Sequence, residues 1–147
     1  PARRQRVPGA RDSGGDPGGK APVEALREGD EVVSIGLDGP PTLLTTRIAR
    51  IGTLREPECV RVDDRCLITP AQPVYAANGE IVPAGSLRPG LPLLGPGLDA
   101  RPVRQTRRVS GYFEVYALTT DHPSHNFVVD DFLVCHNKRY LDDRFFR

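Results

Sequence analysis

Near the end of this chain a thiol, an imidazole and a carboxamide stand in a row: Cys135, His136 and Asn137. A thiol becomes a nucleophile when it ionises, and an imidazole takes up and returns protons near neutral pH. Two further histidines (His122, His125) and two further cysteines (Cys59, Cys66) complete the reactive set. Taken singly, each has a plain reading. A histidine is a polar residue near a strand end, His122 beside Pro123 is an exposed loop residue, and Cys135 is a small buried hydrophobe. Cys59, Cys66, Cys135 and His136 would make up a tetrahedral zinc set. No Cys-x-x-Cys spacing supports it, so no metal and no cofactor are expected. Three cysteines make an odd set that does not suggest a disulfide framework, and the compartment stays open.

The elements that must hold these residues are strands. From Val23 to about Val134 short apolar runs alternate with turn residues. The runs include Glu31–Ile35, Leu43–Ile51, Glu58–Val62, Val74–Ala77, Phe113–Thr120, Asn126–Val129 and Phe132–Val134. Breakers such as Asp38-Gly39-Pro40, Asn78-Gly79 and Gly95-Pro96-Gly97 separate them. Many short strands at this spacing predict an all-β domain. Asn78-Gly79 predicts a two-residue type I′ hairpin. Val23–Arg27 and Ala84–Leu87 are each allowed one helical turn. Val32, Ile48, Val60, Ile68, Val74, Leu87, Val115, Leu118, Phe127 and Val134 are the expected core.

Residues 1–22 are rich in Gly, Pro, Arg and Asp without hydrophobic period, which reads as a disordered leader or linker. Residues 138–147 read as the start of a downstream segment. The chain begins with proline and contains no methionine, as expected of a piece of a longer or processed protein. Hydrophobic residues make up 38% and charged residues 27% of 147 positions, the balance of a globular domain. A formal net charge of +1 gives no push toward nucleic acid, and no apolar run of about 18 residues spans a membrane. A monomer with neither nucleic acid nor membrane as partner is expected.

Three segments carry a resemblance. Val23-Glu-Ala-Leu-Arg-Glu-Gly29-Asp30-Glu-Val32-Val33 is the first. Leu67-Ile-Thr69-Pro-Ala-Gln72-Pro-Val74, followed by Gly79, Ala84, Leu87 and Gly90, is the second. Val115-Tyr116-Ala117-Leu118-Thr119, then His125-Asn126-Phe127, then Leu133-Val134-Cys135-His136-Asn137, is the third. In this order they resemble the blocks of the Hint superfamily, the intein and Hedgehog-like autoprocessing domains, and are closest in pattern to bacterial intein-like domains. The resemblance covers residues 23–137. It implies a Hint-type fold of many short, mostly antiparallel strands, with both chain ends near one site.

The resemblance also implies a chemistry. An asparagine side-chain nitrogen can attack its own backbone carbonyl, close a five-membered succinimide and break the chain behind it. Intramolecular geometry supplies a high effective molarity. The amide is a poor nucleophile and the departing amine a poor leaving group, so a proton-moving neighbour helps. By resemblance Asn137 cyclises, His136 is its neighbour and His125 the second proton-handling group. Thr69 corresponds to a residue beside the N-terminal scissile bond, with a plain alternative as a β-branched strand residue.

Four departures concern the other junction. No Cys or Ser opens the domain where Arg6–Ala10 reads Arg-Val-Pro-Gly-Ala, and Ser13 is the only nearby hydroxyl. Gln72 replaces a histidine and cannot shuttle protons at neutral pH. Ala117 replaces an acidic residue, and Lys138 replaces the nucleophile that ligation needs. Because that position serves the other junction, Gln72→His should change cleavage after Asn137 little. The expectation is a single-turnover domain acting on its own flanking polypeptide, limited to cleavage of the Asn137–Lys138 bond without ligation. The alternative is a catalytically degenerate Hint fold used as a binding or spacer module. A third possibility is a full autoprocessing domain whose first nucleophile has been lost by truncation or mutation.

Overall fold

The computed structural model describes residues 6–8, 20–129 and 133–137. Twelve strands follow in order: β1 (Arg6–Pro8), β2 (Lys20–Pro22), β3 (Glu31–Gly36), β4 (Thr42–Val62), β5 (Cys66–Ile68), β6 (Pro73–Tyr75), β7 (Ile81–Pro83), β8 (Pro92–Leu94), β9 (Ala100–Pro102), β10 (Thr106–Thr120), β11 (Asn126–Val129) and β12 (Leu133–His136). The two expected helical turns form single 3₁₀ turns at Val23–Ala25 and Ala84–Ser86. All named strand pairs are antiparallel. The all-β expectation holds.

The largest element is a ribbon of β4 and β10, paired from Thr106↔Val62 to Thr120↔Ile48. The sequence predicts shorter strands here, Leu43–Ile51, Glu58–Val62 and Phe113–Thr120, which leave out Pro57 and Gly111. The ladder passes them by a register shift between Ser110 and Phe113. Gly111 and Tyr112 lie opposite the gap at Pro57, the one position of β4 without an N–H to donate there. β3 extends this sheet on the far edge of β4, from Glu31↔Arg47 to Gly36↔Thr42.

A second sheet runs β11-β12-β6-β7. Its strands β11 and β12 are buried on both faces. Phe127, Val129, Leu133 and Cys135 point into the main core with Val32, Ile48, Val60, Ile68, Val74, Leu87 and Leu118. Val128 and Val134 point the other way, against Ile35, Tyr75 and Leu94. Double burial explains why this stretch reads as continuous apolar runs rather than alternation. Nine of the ten expected core residues are buried; Val115 is half-buried on the outer part of the ribbon.

The Asn78-Gly79 hairpin forms with a different turn. Gly79 is left-handed at φ 90° and Asn78 is not. Gly79 N–H donates to Ala76 O at 2.9 Å, and Ala76 N–H to Glu80 O at 2.8 Å. This is a three-residue loop with glycine at the left-handed position. Asn78 Oδ1 accepts from Glu80 N–H at 2.9 Å, so its side chain stabilises the loop instead of its backbone taking a positive φ.

Within the segment 1–22, β1 pairs with β2 through Arg6↔Pro22, Val7↔Ala21 and Pro8↔Lys20. β1 lies beside β11 and β3, so an N-terminal segment reaches the strand that follows His125. Residues 1–5, 9–19 and 138–147, including Lys138, lie outside the described residues.

Candidate functional site

β11 and β12 set the site. Their register pairs Asn126 with His136, and one step further Asn137 N–H donates to His125 O at 2.7 Å. The ladder thus carries His125, His136 and Asn137 together at the open end of the pair. His125 has a left-handed backbone, φ 55°, a conformation in which histidine is enriched among residues other than glycine. Its ring lies beside that of His136, with centroids 6.2 Å apart and planes tilted by 58°. On another side Tyr75 approaches the His136 ring, with centroids 6.0 Å apart. Burial raises the Tyr75 phenol above its ordinary value of 10.0, and the Asn126 amide partly offsets this.

His136 Nδ1 stands 2.7 Å from the carbonyl oxygen of Asn137. A carbonyl only accepts, so this contact places the ring proton on Nδ1. That carbonyl is the one that succinimide closure would attack. The Asn137 side chain is buried, at 1% exposure, against Thr120. Its Nδ2 lies 3.2 Å from Thr120 Oγ1 and 3.4 Å from Thr120 O, and its Oδ1 lies 3.3 Å from Thr120 Oγ1. A second register shift on β10, between Thr119 and Thr120, precedes this contact. Such irregularities re-aim a side chain, and Thr120 is buried whereas Thr119 is half-exposed. Sequence reading stops at Thr119 of the third block and misses Thr120. The available signal is a second threonine directly before the Asp121–Ser124 turn.

Asn126 is the other residue given no role in the sequence. It is fully buried and ties β11 to β3 with a side-chain imitation of strand pairing. Its Oδ1 accepts from Ile35 N–H at 2.9 Å and from Ser34 Oγ at 2.6 Å, and its Nδ2 donates to Ile35 O at 2.9 Å. Asn126→Ala strands the N–H and the carbonyl of Ile35, each at about 1–3 kcal/mol when buried and unsatisfied, while Ser34 Oγ keeps its contact with Ser124 Oγ. A loss of about 3 kcal/mol in unfolding free energy is expected, read from the urea midpoint.

His122 is not the exposed loop residue that the sequence suggests. It is half-buried, its Nδ1 accepting Ser124 N–H at 3.0 Å and meeting Ser124 Oγ at 3.0 Å. Ser124 in turn contacts Ser34 Oγ at 3.0 Å. The ring therefore shapes the turn that delivers His125.

Thr69 is buried just beyond β5, and its carbonyl accepts Gln72 N–H at 3.1 Å. Gln72 Nε2 donates to His136 O at 2.9 Å, so its side chain is tied to the backbone beside Asn137. Ala117 is buried on β10 opposite Gly52. The three cysteines are buried and form no disulfide. Among the described residues, no three His, Cys, Asp or Glu side chains converge as a metal site, and no helix is long and apolar enough to cross a membrane.

No protein-family model matches the chain, and no curated protein matches it. Solved structures do. The solution structure of a bacterial intein-like domain from Clostridium thermocellum superposes with a TM-score of 0.74 at 19% identity, over 92% of this chain and 100% of that one. The crystal structure of the gp41-1 intein gives 0.67 at 15% identity, over 92% and 96%. That of the MchDnaB-1 intein gives 0.66 at 22% identity, over 92% and 98%. The fold is that of the inteins.

Proposed function

We propose that this chain is an autoprocessing domain that acts once on its own flanking polypeptide and cleaves the Asn137–Lys138 bond by asparagine cyclisation, without ligation. The observation that carries the reading is the 2.7 Å contact of His136 Nδ1 with the Asn137 carbonyl oxygen. Asn137 Nδ2 attacks the carbonyl carbon of the same residue, and its proton leaves to a base. Charge developing on the carbonyl oxygen is met by the His136 Nδ1–H already aimed at it, the kind of preorganised donor that stabilises an oxyanion. The bond to the Lys138 nitrogen then breaks, and the departing amine takes up a proton. The products are an upstream chain ending in a succinimide and a downstream chain with a free amino group. His125 is assigned the proton traffic at the leaving side, and Thr120 holds the Asn137 amide. Thr69 belongs to the turn that positions Gln72.

This reading divides the chain into a leader or linker at 1–22, whose strands β1 and β2 pair and whose β1 lies beside β11 and β3, the autoprocessing domain at 23–137 and the start of a downstream segment at 138–147. It needs no cofactor or metal. The missing first nucleophile, with Gln72 and Ala117 in place of a histidine and an acid, rules the N-terminal acyl shift out of the proposal. Hydroxylamine or a strong thiol is therefore expected not to accelerate release of an upstream fusion partner. Thiol-dependent release would show that a nucleophile acts at that junction. The main test is intact mass over time for the chain carrying a reporter after Arg147. Failure of wild type to release the reporter would favour a degenerate binding or spacer module.

A further inference from the structure

The peptide group that joins His136 to Asn137 is held at both ends. Its N–H, on Asn137, donates to His125 O at 2.7 Å. Its carbonyl, on His136, accepts from Gln72 Nε2 at 2.9 Å. The reason a side chain is needed lies in β6. Backbone pairing between β12 and β6 is registered at Cys135↔Val74. One step on, the β6 residue is Pro73, which has no N–H to offer. Gln72 supplies the missing donor from its side chain and spends its second amide hydrogen on Pro73 O at 3.0 Å.

Gln72 is itself fixed. Its own N–H donates to Thr69 O at 3.1 Å, and its carbonyl accepts from Ala84 N–H at 2.9 Å. It is buried at 7% exposure. The turn from Thr69 and the 3₁₀ turn at Ala84–Ser86 thus aim one amide at the residue before the scissile carbonyl. With that peptide plane locked, the backbone that carries the His136 ring is fixed, and so is the ring's approach to Asn137 O. The Asn137 side chain and carbonyl remain the parts free to react.

We propose that Gln72 is a positioning residue for cleavage after Asn137, acting through the His136 carbonyl. The proposal rests on the cleavage reading above. It gives the glutamine in place of histidine a function at the junction opposite to the one its sequence position suggests.

Two near-isosteric variants test it, each in the full chain carrying a reporter after Arg147, with thermal melts run alongside. Gln72→Met fills the space and has no donor. Gln72→Glu places a carboxyl among carbonyl oxygens. Ionised, the carboxyl repels the His136 carbonyl; protonated, it has one O–H to donate. Burial favours the protonated form. The titratable groups nearby are His136 and Cys135 on β12, with Tyr75 and His125 beside the His136 ring, and both variants share them. Near neutral pH, Gln72→Met should cleave about tenfold to a hundredfold more slowly than wild type, since a small misplacement of reacting groups has effects of that order. The ratio of the Gln72→Glu rate to the Gln72→Met rate should rise as pH falls from about 8 to about 5, because the restored donor is the only difference that titrates. Wild-type cleavage combined with a wild-type rate in Gln72→Met overturns the role of Gln72 and leaves the cleavage reading standing. So does a Glu-to-Met ratio flat across pH, which marks a packing role only. A wild-type chain that releases nothing overturns both.

Discussion

Asn137→Ala is expected to abolish release of a reporter placed after Arg147 while the fold persists. The substitution removes the attacking nitrogen, and no other group offers the same five-membered closure. The loss is complete rather than partial, because an intramolecular attack with high effective molarity has no external substitute of comparable strength. The cost in stability is expected to be moderate: among the described residues the Asn137 amide makes its three side-chain contacts with Thr120, and its backbone bond to His125 O survives the change. Intact mass checks release, and a thermal melt separates lost chemistry from lost structure. Equal release by wild type and Asn137→Ala would remove Asn137 from the reaction.

His136→Ala is expected to slow release by about a hundred- to ten-thousand-fold, the range of positioned acid–base assistance. The ring is half-exposed and lies at the end of β12, so its removal opens no core cavity, and the melt should move little. The 2.7 Å contact with the Asn137 carbonyl assigns the lost function to stabilisation of that oxygen. His136→Gln keeps a donor of similar reach and should recover part of the rate, which a purely structural histidine would not require. A His136→Ala rate within a few-fold of wild type, by time-resolved mass, would place the oxyanion partner elsewhere.

Much of the fold was legible because burial on both faces leaves short continuous apolar runs in the sequence. Phe127, Val129, Leu133 and Cys135 alternate with Val128 and Val134 because two cores lie on opposite faces of β11 and β12. The β4–β10 ribbon was legible only in pieces. Pro57 and Gly111 are strand breakers locally, and only the register shift opposite them lets both strands continue. β9 was missed because Ala100-Arg101-Pro102 shows no alternation and owes its pairing to β8.

The site was legible where residue type names a chemistry, as with His136 and Asn137. It was not legible where a residue acts through geometry alone. Thr120 matters because a bulge precedes it, Asn126 because it imitates a strand for Ile35, and Gln72 because Pro73 lacks an N–H. Of these only Thr120 leaves a mark in the sequence, as the second threonine before a turn. Under the role proposed for it, Gln72 would act at a chain end other than the one its position in the motif suggests, through its hydrogen bond to His136 O.

The central claim is that the chain breaks after Asn137 by cyclisation of that residue, and the upstream fragment carries the proof. Its intact mass, taken early in a time course on the reporter fusion, should match a chain ending at residue 137 and lacking one molecule of water relative to a hydrolysed end. That water should be regained as the succinimide opens. A fragment that ends elsewhere, or one that carries the full water from the first time point, would contradict cyclisation at Asn137.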